Sequence, residues 1–335
     1  MTAYSASAGG FLPADSEPLA SRPRRACENG PIAGLLDKRL AFVTGKGGVG
    51  KTTVSYALGL AAAAAGKRAI VCEIARQEHG SAMFGRDPIG FNETELTDGL
   101  WAISIDPDKM VREYLEVLLP VRAMASLLYR SNLFAYLAAA TPGLREVVSI
   151  GKAYELTLDV RRSPDGAGTY DLVIVDAPAT GHGIGFLEAP GTFRRIAKGG
   201  PLADQASRIE RMITDRERSG VGIVATAEEM AVNETADLAD GLEETGVALE
   251  EIFVNELFPE RFSGAELDRI RTARERRPSA ALDAAIAEAE RAQTQRIELE
   301  RLRGIVTGVP IEELPFLFSA ELGVAELRRI ASVLT

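Results

Sequence analysis

The sequence predicts an α/β protein with a doubly wound, mostly parallel sheet and a helical subdomain beside it. From Arg39 onward, short apolar runs alternate with longer stretches of helical pattern, an order typical of buried parallel strands joined by helices. A glycine-rich turn lies between the first apolar run and the first helical stretch. Two long helical segments interrupt the alternation, which predicts the additional subdomain.

Seven short apolar runs are the predicted strands, because each is rich in aliphatic residues and has the length of a buried strand. They cover residues 40–43, 69–72, 101–105, 172–175, 221–224, 252–254 and 305–307. The first helix is predicted over residues 51–65, where alanine is abundant. Gly66 then supplies the residue type that commonly closes a helix.

The chain divides into a tail and one domain. Residues 1–36 contain Ser, Pro, Gly and Arg without an apolar period, which predicts a flexible N-terminal tail. Residues 37–335 are predicted to form a single domain with two helical insertions. The first insertion, near 107–165, is unusually apolar, and the second, near 264–303, is heavily charged and interrupted near Pro278.

The composition excludes several classes of protein. The 48 acidic residues outnumber the 38 basic ones and give a net charge of −10, which argues against nucleic acid as a partner. The two cysteines, Cys27 and Cys72, cannot build a disulfide framework and fit a reducing compartment. No apolar run is long enough to cross a bilayer, and residues 1–12 lack the pattern of a secretory signal, so a cytoplasmic location is expected.

Residues 45–52 read Gly-Lys-Gly-Gly-Val-Gly-Lys-Thr and match the phosphate-binding loop pattern of P-loop NTPases. Glycines let the backbone curl so that its N–H groups point at phosphate oxygens, and the following helix adds the positive end of its dipole. The Lys51 ammonium can neutralise the β- and γ-phosphates, and the Thr52 hydroxyl can complete a Mg²⁺ shell. The pattern therefore predicts ATP or ADP with Mg²⁺. The predicted contacts are Gly45, Gly47, Gly48, Val49, Gly50, Lys51, Thr52 and Thr53.

The early lysine of the loop, Lys46, is not required by the general pattern. The string Lys-Gly-Gly-Val-Gly-Lys-Thr-Thr resembles the deviant Walker A loop of the SIMIBI class, which contains MinD, ParA, the nitrogenase iron protein and the arsenical-pump ATPase. In that class the early lysine reaches across a dimer interface to the partner's nucleotide. The resemblance implies that role for Lys46, in a homodimer or in a heterodimer with a paralogous ATPase. The alternative is an exposed loop lysine.

Downstream motifs narrow the class to one family. The predicted strand at 172–175 is followed by Asp176, a carboxylate that can hold Mg²⁺ together with Thr52. The next residues, Ala-Pro-Ala-Thr-Gly-His at 177–182, resemble the second switch of the ArsA and tail-anchored-protein-targeting (Get-type) ATPases. Further strings of that family resemble residues 226–235, 254–260 and 314–316.

The resemblance to the ArsA and Get-type family covers about residues 39–335 and implies an ATPase in which Lys46, Lys51 and Asp176 are catalytic. Such an ATPase couples its nucleotide state to a partner. The apolar insertion at 107–165 would bind a hydrophobic client or a membrane-protein partner, or else its apolar residues form the core of the subdomain.

Residues near the base and the γ-phosphate also receive expected roles from the resemblance. Asn255 would read the adenine base, or else be a turn residue at a strand end. Pro315 and Phe316 would lie beside the purine. His182 would sense the γ-phosphate or cap a helix.

The chain departs from the family pattern after its second strand. In the family this strand ends in Asp-Pro-Ala-His, and the aspartate positions the attacking water, but here Ala75 holds that place. Glu73 or Gln77 would then substitute, with Arg76 supplying charge, or the whole turn has a structural role. Hydrolysis is therefore expected to be slow. The alternative is a nucleotide-binding regulatory subunit with little turnover, paired with an active paralogue.

A second departure concerns metal chemistry. Eukaryotic Get-type ATPases hold zinc with a Cys-x-x-Cys pair after the adenine strand, and this sequence has no cysteine beyond Cys72. Tetrahedral zinc sites require thiolate or imidazole ligands, so no zinc is expected. The same shortage of thiols disfavours a site for arsenite.

Overall fold

A computed structural model describes residues 34–74, 78–111, 143–159, 168–178, 183–196 and 199–335. Its centre is an eight-stranded sheet in the order β3-β4-β2-β5-β1-β6-β7-β8. All neighbouring strands are parallel except β3 and β4, which are antiparallel. The strands are β1 (Leu40–Thr44), β2 (Ala69–Ile74), β3 (Thr94–Thr97), β4 (Leu100–Ile105), β5 (Leu172–Asp176), β6 (Ser219–Thr226), β7 (Leu249–Leu257) and β8 (Ile311–Pro315).

Helices cover both faces of this sheet, which confirms the predicted α/β, doubly wound architecture. The helices that lie wholly within the described residues are α1 (Lys51–Ala64), α2 (His79–Met83), α3 (Leu144–Leu156), α4 (Gly183–Ile196), α5 (Pro201–Ile213), α6 (Glu229–Thr245), α7 (Gly264–Arg276), α8 (Ala280–Ile305) and α9 (Val324–Ala331). A short 3₁₀ turn, Leu35–Asp37, precedes β1.

The strand side chains alternate between two apolar cores, as the period of two in a strand requires. Leu40 and Phe42 of β1 join the core beneath α3, α4, α5, α6 and the end of α8. Ala41 and Val43 of the same strand join the opposite core, with α1, α9 and the 3₁₀ turn. Both faces of the central strands are therefore buried, which explains why those strands are continuous apolar runs in the sequence.

The strand order places the candidate site. The strands β1 and β5 are neighbours, and their chain connections run in opposite directions across the sheet, from β1 toward β2 and from β5 toward β6. In open parallel sheets, ligands bind at such a point, at the carboxyl ends of the strands. The glycine-rich loop follows β1, and Asp176 ends β5 beside it.

Two elements differ from the sequence predictions. The strand predicted at 305–307 is wrong, because α8 continues to Ile305 and the eighth strand is Ile311–Pro315. The edge strand β3 was not predicted, because its sequence Thr-Glu-Leu-Thr has no apolar run and only Leu96 is buried. The strand is defined by its antiparallel pairing with β4, and that pairing is made by backbone hydrogen bonds, which the side-chain pattern does not show.

The domain boundary and the insertions are only partly described. Leu35 and Leu36 are buried in the core, so the folded domain already includes residues within the predicted tail of 1–36. The charged insertion at 264–303 is a helical hairpin of α7 and α8, broken around Pro278. In the apolar insertion at 107–165, residues 112–142 and 160–165 lie outside the described residues, and α3 belongs to the remainder. Among the described residues, none of the helices combines the length and apolar character needed to cross a bilayer.

Candidate functional site

Glycine is structurally required in the loop between β1 and α1. Gly45, Gly48 and Gly50 have φ angles of 140°, 86° and 91°, in the left-handed range that other residues rarely adopt. A side chain at Gly45 would also collide with the carbonyl oxygen of Val224, and one at Gly50 would collide with the Asn255 amide. The loop is thus held tightly against β6 and β7, while no atom of the described residues lies within 4 Å of the Cβ position at Gly48. The curled loop at a helix N-terminus is a form that binds phosphate.

Lys51 begins α1 and directs its ammonium back into the loop. Its Nζ donates a hydrogen bond to the carbonyl oxygen of Lys46, at 2.9 Å. Burial lowers the pKa of Lys51, and the negative charge of Asp176 partly opposes that change. The ammonium therefore sits in the concave part of the loop, where it can exchange a backbone carbonyl for phosphate oxygens.

Asp176 lies beside Thr52 in the arrangement that the sequence predicts for a Mg²⁺ site. The Thr52 hydroxyl donates to Oδ2 of Asp176 at 2.6 Å, and Ser55 Oγ lies 3.5 Å from Oδ1. Asp176 is 2% exposed, and burial raises its pKa to about 6, with the nearby charge of Glu73 acting in the same direction. A buried carboxylate next to a hydroxyl is a hard-oxygen donor pair, and it fits Mg²⁺.

The proposed base-binding residues gather at the ends of β7 and β8. Asn255 is buried, and its Nδ2 donates to the carbonyl oxygen of Val49 at 3.0 Å, so it holds the phosphate loop directly. Pro315 ends β8, and the Phe316 ring stacks on Phe258 with centroids 4.3 Å apart. The adenine contacts remain predictions, and the bond from Asn255 to the loop is an additional role that the sequence did not suggest.

Lys46 forms an ion pair within its own chain. Its Nζ lies 2.8 Å from Oε1 of Glu234 on α6, and the two side chains are 39% and 47% exposed. An exposed pair of this kind contributes little to stability, so it can be exchanged for another partner. The role of Lys46 across a dimer stays a prediction.

Glu73 is fully engaged by protein donors. Its carboxylate accepts the Tyr56 hydroxyl at 2.5 Å and the backbone N–H groups of His79 and Gly80 at 2.8 and 2.9 Å. The side chain is 1% exposed. In this arrangement Glu73 acts as an anchor for the start of α2 and not as a free ligand for metal or water.

Several predicted residues are not covered. Ala75, Arg76, Gln77 and His182 lie outside the described residues, so a substitution of Gln77 for the family aspartate, with Arg76 supplying charge, stays a prediction beside a structural role of the turn. Ser55 and Tyr56 were missed in the sequence. Their spacing was a usable signal, because residues three and four positions after Thr52 share its face of a helix.

Within the described residues, no group of three or more His, Cys, Asp and Glu side chains is placed to hold a metal ion. This does not weigh against the pair of Thr52 and Asp176, because Mg²⁺ in nucleotide sites takes few protein ligands and several phosphate or water oxygens.

Comparisons with known proteins give one consistent result. The profile of the family described as anion-transporting ATPase matches residues 38–200 and 196–335. The chain is 27% identical over 234 residues to the ATPase BagA of Mycobacterium tuberculosis, with 68% of each chain covered. It is 27% identical over 267 residues to the arsenical pump-driving ATPase of Acidiphilium multivorum, covering 74% of this chain and 44% of the relative. It is 28% identical over 203 residues to the ATPase GET3 of Lachancea thermotolerans, covering 57% and 56%.

Proposed function

The chain belongs to the ArsA family of anion-transporting ATPases, and from this premise we propose that it binds ATP with Mg²⁺ and hydrolyses it slowly as a dimer. The single observation that carries the proposal is the placement of Lys51, Thr52 and Asp176 around one glycine-rich loop. The relatives are themselves named ATPases, which supports the same reaction class.

The residues of the loop supply positioning and charge. Backbone N–H groups of the loop and the N-terminus of α1 orient the phosphates, and the Lys51 ammonium stabilises negative charge that develops on them. Thr52 and Asp176 would hold Mg²⁺, which when bound neutralises charge on the β- and γ-phosphates. Catalysis of this type needs rigid geometry more than an acid or base, and the buried setting of Asp176 provides it.

Dimer formation would complete the charge around the phosphates. Lys46 lies on the exposed rim of the loop, and its ion pair with Glu234 is exposed enough to open. We propose that nucleotide draws Lys46 from Glu234 toward the phosphates of a facing protomer. That protomer is a second copy of this chain or a paralogue.

The work done by the nucleotide cycle is proposed to be conformational. The apolar insertion at 107–165 would bind a partner or hydrophobic client, in response to the nucleotide state. A soft metalloid is disfavoured as cargo, because the sequence has only two cysteines and the Cys72 thiol is buried, with its pKa raised by that burial.

A second function is favoured by a specific observation. Ala75 replaces the family's water-positioning aspartate, and the Glu73 carboxylate is occupied by three protein donors. The chain would then sense nucleotide as a regulatory subunit and leave hydrolysis to an active paralogue.

Both candidate functions are tested by measuring the ATP affinity and the steady-state ATP turnover of the purified chain with Mg²⁺. Lys51→Ala removes the loop ammonium, and Lys67→Ala is the matched control because Lys67 lies just beyond the opposite end of α1. Tight binding with turnover that Lys51→Ala alone abolishes would establish the ATPase. Tight binding without turnover would favour the regulatory subunit, and binding that is unchanged in Lys51→Ala would contradict both.

A further inference from the structure

The carboxylate of Glu73 joins three elements at the edge of the site. Glu73 lies in β2, directly beside Asp176 of β5 in the strand register. Its oxygens accept from Tyr56 on α1 and from the first residues of α2. Within the described residues, the hydrogen bonds from Tyr56, His79 and Gly80 hold both oxygens of this carboxylate. Burial of a carboxylate costs free energy, and the hydrogen bonds that offset this cost also fix its position.

Tyr56 connects this carboxylate to the phosphate-binding helix. It lies four residues after Thr52, so both face the same side of α1. The Tyr56 side chain is completely buried, and its ring packs against Phe84 just after α2, with centroids 5.7 Å apart. A shift of α1 when its N-terminus receives phosphate would therefore move the Tyr56 hydroxyl and the carboxylate bonded to it.

Gly80 allows the backbone at the start of α2 to lie close to Tyr56 and Glu73. A side chain at Gly80 would overlap the hydroxyl end of Tyr56, so only glycine lets the backbone approach. The N–H groups of His79 and Gly80 then reach Glu73 at the start of α2. These two residues lie four and five positions after Ala75, where the family's aspartate would stand.

We propose that Glu73 is a positioning residue, which through Tyr56 fixes the start of α2 relative to the phosphate-binding helix. The inference rests on the proposed function, because it concerns the response of that site to nucleotide. Glu73 does not touch the substrate in this arrangement. It sets the position of the start of α2, and it transmits movement of α1 to that element.

The test uses Tyr56→Phe, which removes one hydroxyl and keeps the ring. Tyr170→Phe is the matched control, because Tyr170 is also fully buried and its hydroxyl also donates to a glutamate, Glu93, at 2.8 Å. Glu73→Gln, which keeps the shape of the side chain, is the second variant and gives the same readout if Tyr56→Phe fails to fold.

The first readout is hydrogen exchange at the amides of His79 and Gly80. In the wild type, nucleotide with Mg²⁺ is expected to change their exchange rates, and Tyr56→Phe is expected to speed their exchange and remove the response to nucleotide. Tyr170→Phe is expected to retain the response.

The second readout is the separation of kcat from KM. Tyr56→Phe is expected to lower kcat at least about tenfold with KM unchanged, since small misplacements near a reacting group are costly. A purely structural role would lower stability to a similar degree in both tyrosine variants and leave kcat equal.

The outcomes distinguish the inference from the function on which it rests. Nucleotide binding with exchange at His79 and Gly80 that does not depend on Tyr56 would overturn the inference and leave the ATPase intact. A Tyr56-dependent exchange response without turnover would support the inference in a nucleotide-sensing protein. Failure of the wild type to bind nucleotide would overturn both.

Discussion

Two buried acids on neighbouring strands have different environments. Glu73 and Asp176 are register partners in β2 and β5. Glu73 receives three protein donors, whereas Asp176 accepts from two hydroxyls, that of Thr52 and the more distant one of Ser55. Burial and the charge of Glu73 raise the pKa of Asp176 to about 6. A cation bound beside Asp176 would therefore offset the cost of burying its ionised carboxylate.

The raised pKa of Asp176 predicts a stability change in the metal-free protein. The pKa of Asp176 rises from its ordinary value of 3.8 to about 6 on folding, so the folded state loses stability as the pH increases through that window. Asp176→Asn removes this cost and is expected to stabilise the metal-free chain at pH 8 by up to about 3 kcal/mol. The gain should be largely lost near pH 4, where the carboxyl of the folded wild type is protonated and that of the unfolded chain is about half protonated.

Chemical denaturation at the two pH values measures this effect. Asp171→Asn is the matched control, because Asp171 lies immediately before the same strand and is exposed. Equal stability of wild type and Asp176→Asn at pH 8 would contradict the prediction. The Asn variant should nevertheless lose Mg²⁺-dependent turnover.

Asn255 offers a second test at the residue scale. Because its side chain donates to the Val49 carbonyl, Asn255→Ala is expected to loosen the phosphate loop as well as any contact to the base. The variant should therefore bind both ATP and tripolyphosphate, which has no base, more weakly by about fivefold or more. Calorimetric titration measures both affinities. Unchanged tripolyphosphate affinity would mean that Asn255 serves the base alone. Asn92→Ala, at an exposed position before β3, is the control.

At the scale of elements, α8 supports the end of β7. Gln295 of α8 is buried, and its amide donates to the Glu256 carbonyl at 2.9 Å and accepts the Phe258 N–H at 2.8 Å. Glu256 itself has a φ of 61°, a left-handed conformation that costs free energy outside glycine. The charged hairpin thus holds a strained residue, Glu256, near the end of β7 and next to Asn255.

Gln295→Ala is expected to lower the free energy of unfolding by about 2 kcal/mol, because two main-chain groups lose their partner in a partly buried position. The affinity for ATP should fall more than that for tripolyphosphate, since the disturbed end of β7 lies at the proposed base end of the site. Denaturation and calorimetry measure the two effects. Gln293→Ala, on the exposed side of the same helix, should change neither. An equal loss of affinity for both ligands would mean that Gln295 supports the phosphate loop and not the base end of the site.

At the scale of the whole molecule, the strand order decides which elements share the site. The loop after β1 is flanked by β5 and β6, so Asp176 approaches it from one side and Val224 from the other. Helix α6, which follows β6, brings Glu234 to Lys46. The rim of the loop is exposed there, and this is the surface that would face a second protomer.

Glu234→Gln is expected to favour nucleotide-dependent dimerisation modestly, by about twofold, because the exposed ion pair with Lys46 is worth little. Lys46→Ala should instead abolish the nucleotide dependence of dimerisation. Analytical ultracentrifugation with and without ATP and Mg²⁺ measures both. Glu244→Gln, at an exposed position further along α6, is the control. If Lys46→Ala dimerises with nucleotide as the wild type does, Lys46 does not act across the interface.

Local patterns in the sequence determined the α/β class, most strands of the sheet and the phosphate loop. The central strands are buried on both faces, so each is an uninterrupted apolar run, and the loop has its glycines at positions where the φ angle demands them. Such features are encoded within a few residues. The same residues carry the resemblance to the family, which the comparison over residues 38–335 then confirmed.

Only the tertiary structure decided the partners that the chain brings together from far apart. The bond from Asn255 to Val49 spans 206 residues, and the ion pair of Lys46 with Glu234 spans 188. The edge strand β3 is polar and is defined by its backbone pairing, and the last strand follows a helix whose end the local pattern misplaced. The role of Glu73 likewise depends on Tyr56 and the start of α2 converging on it. The sequence shows the chemistry of a side chain, but the partners of that side chain depend on how the strands and helices are arranged in space.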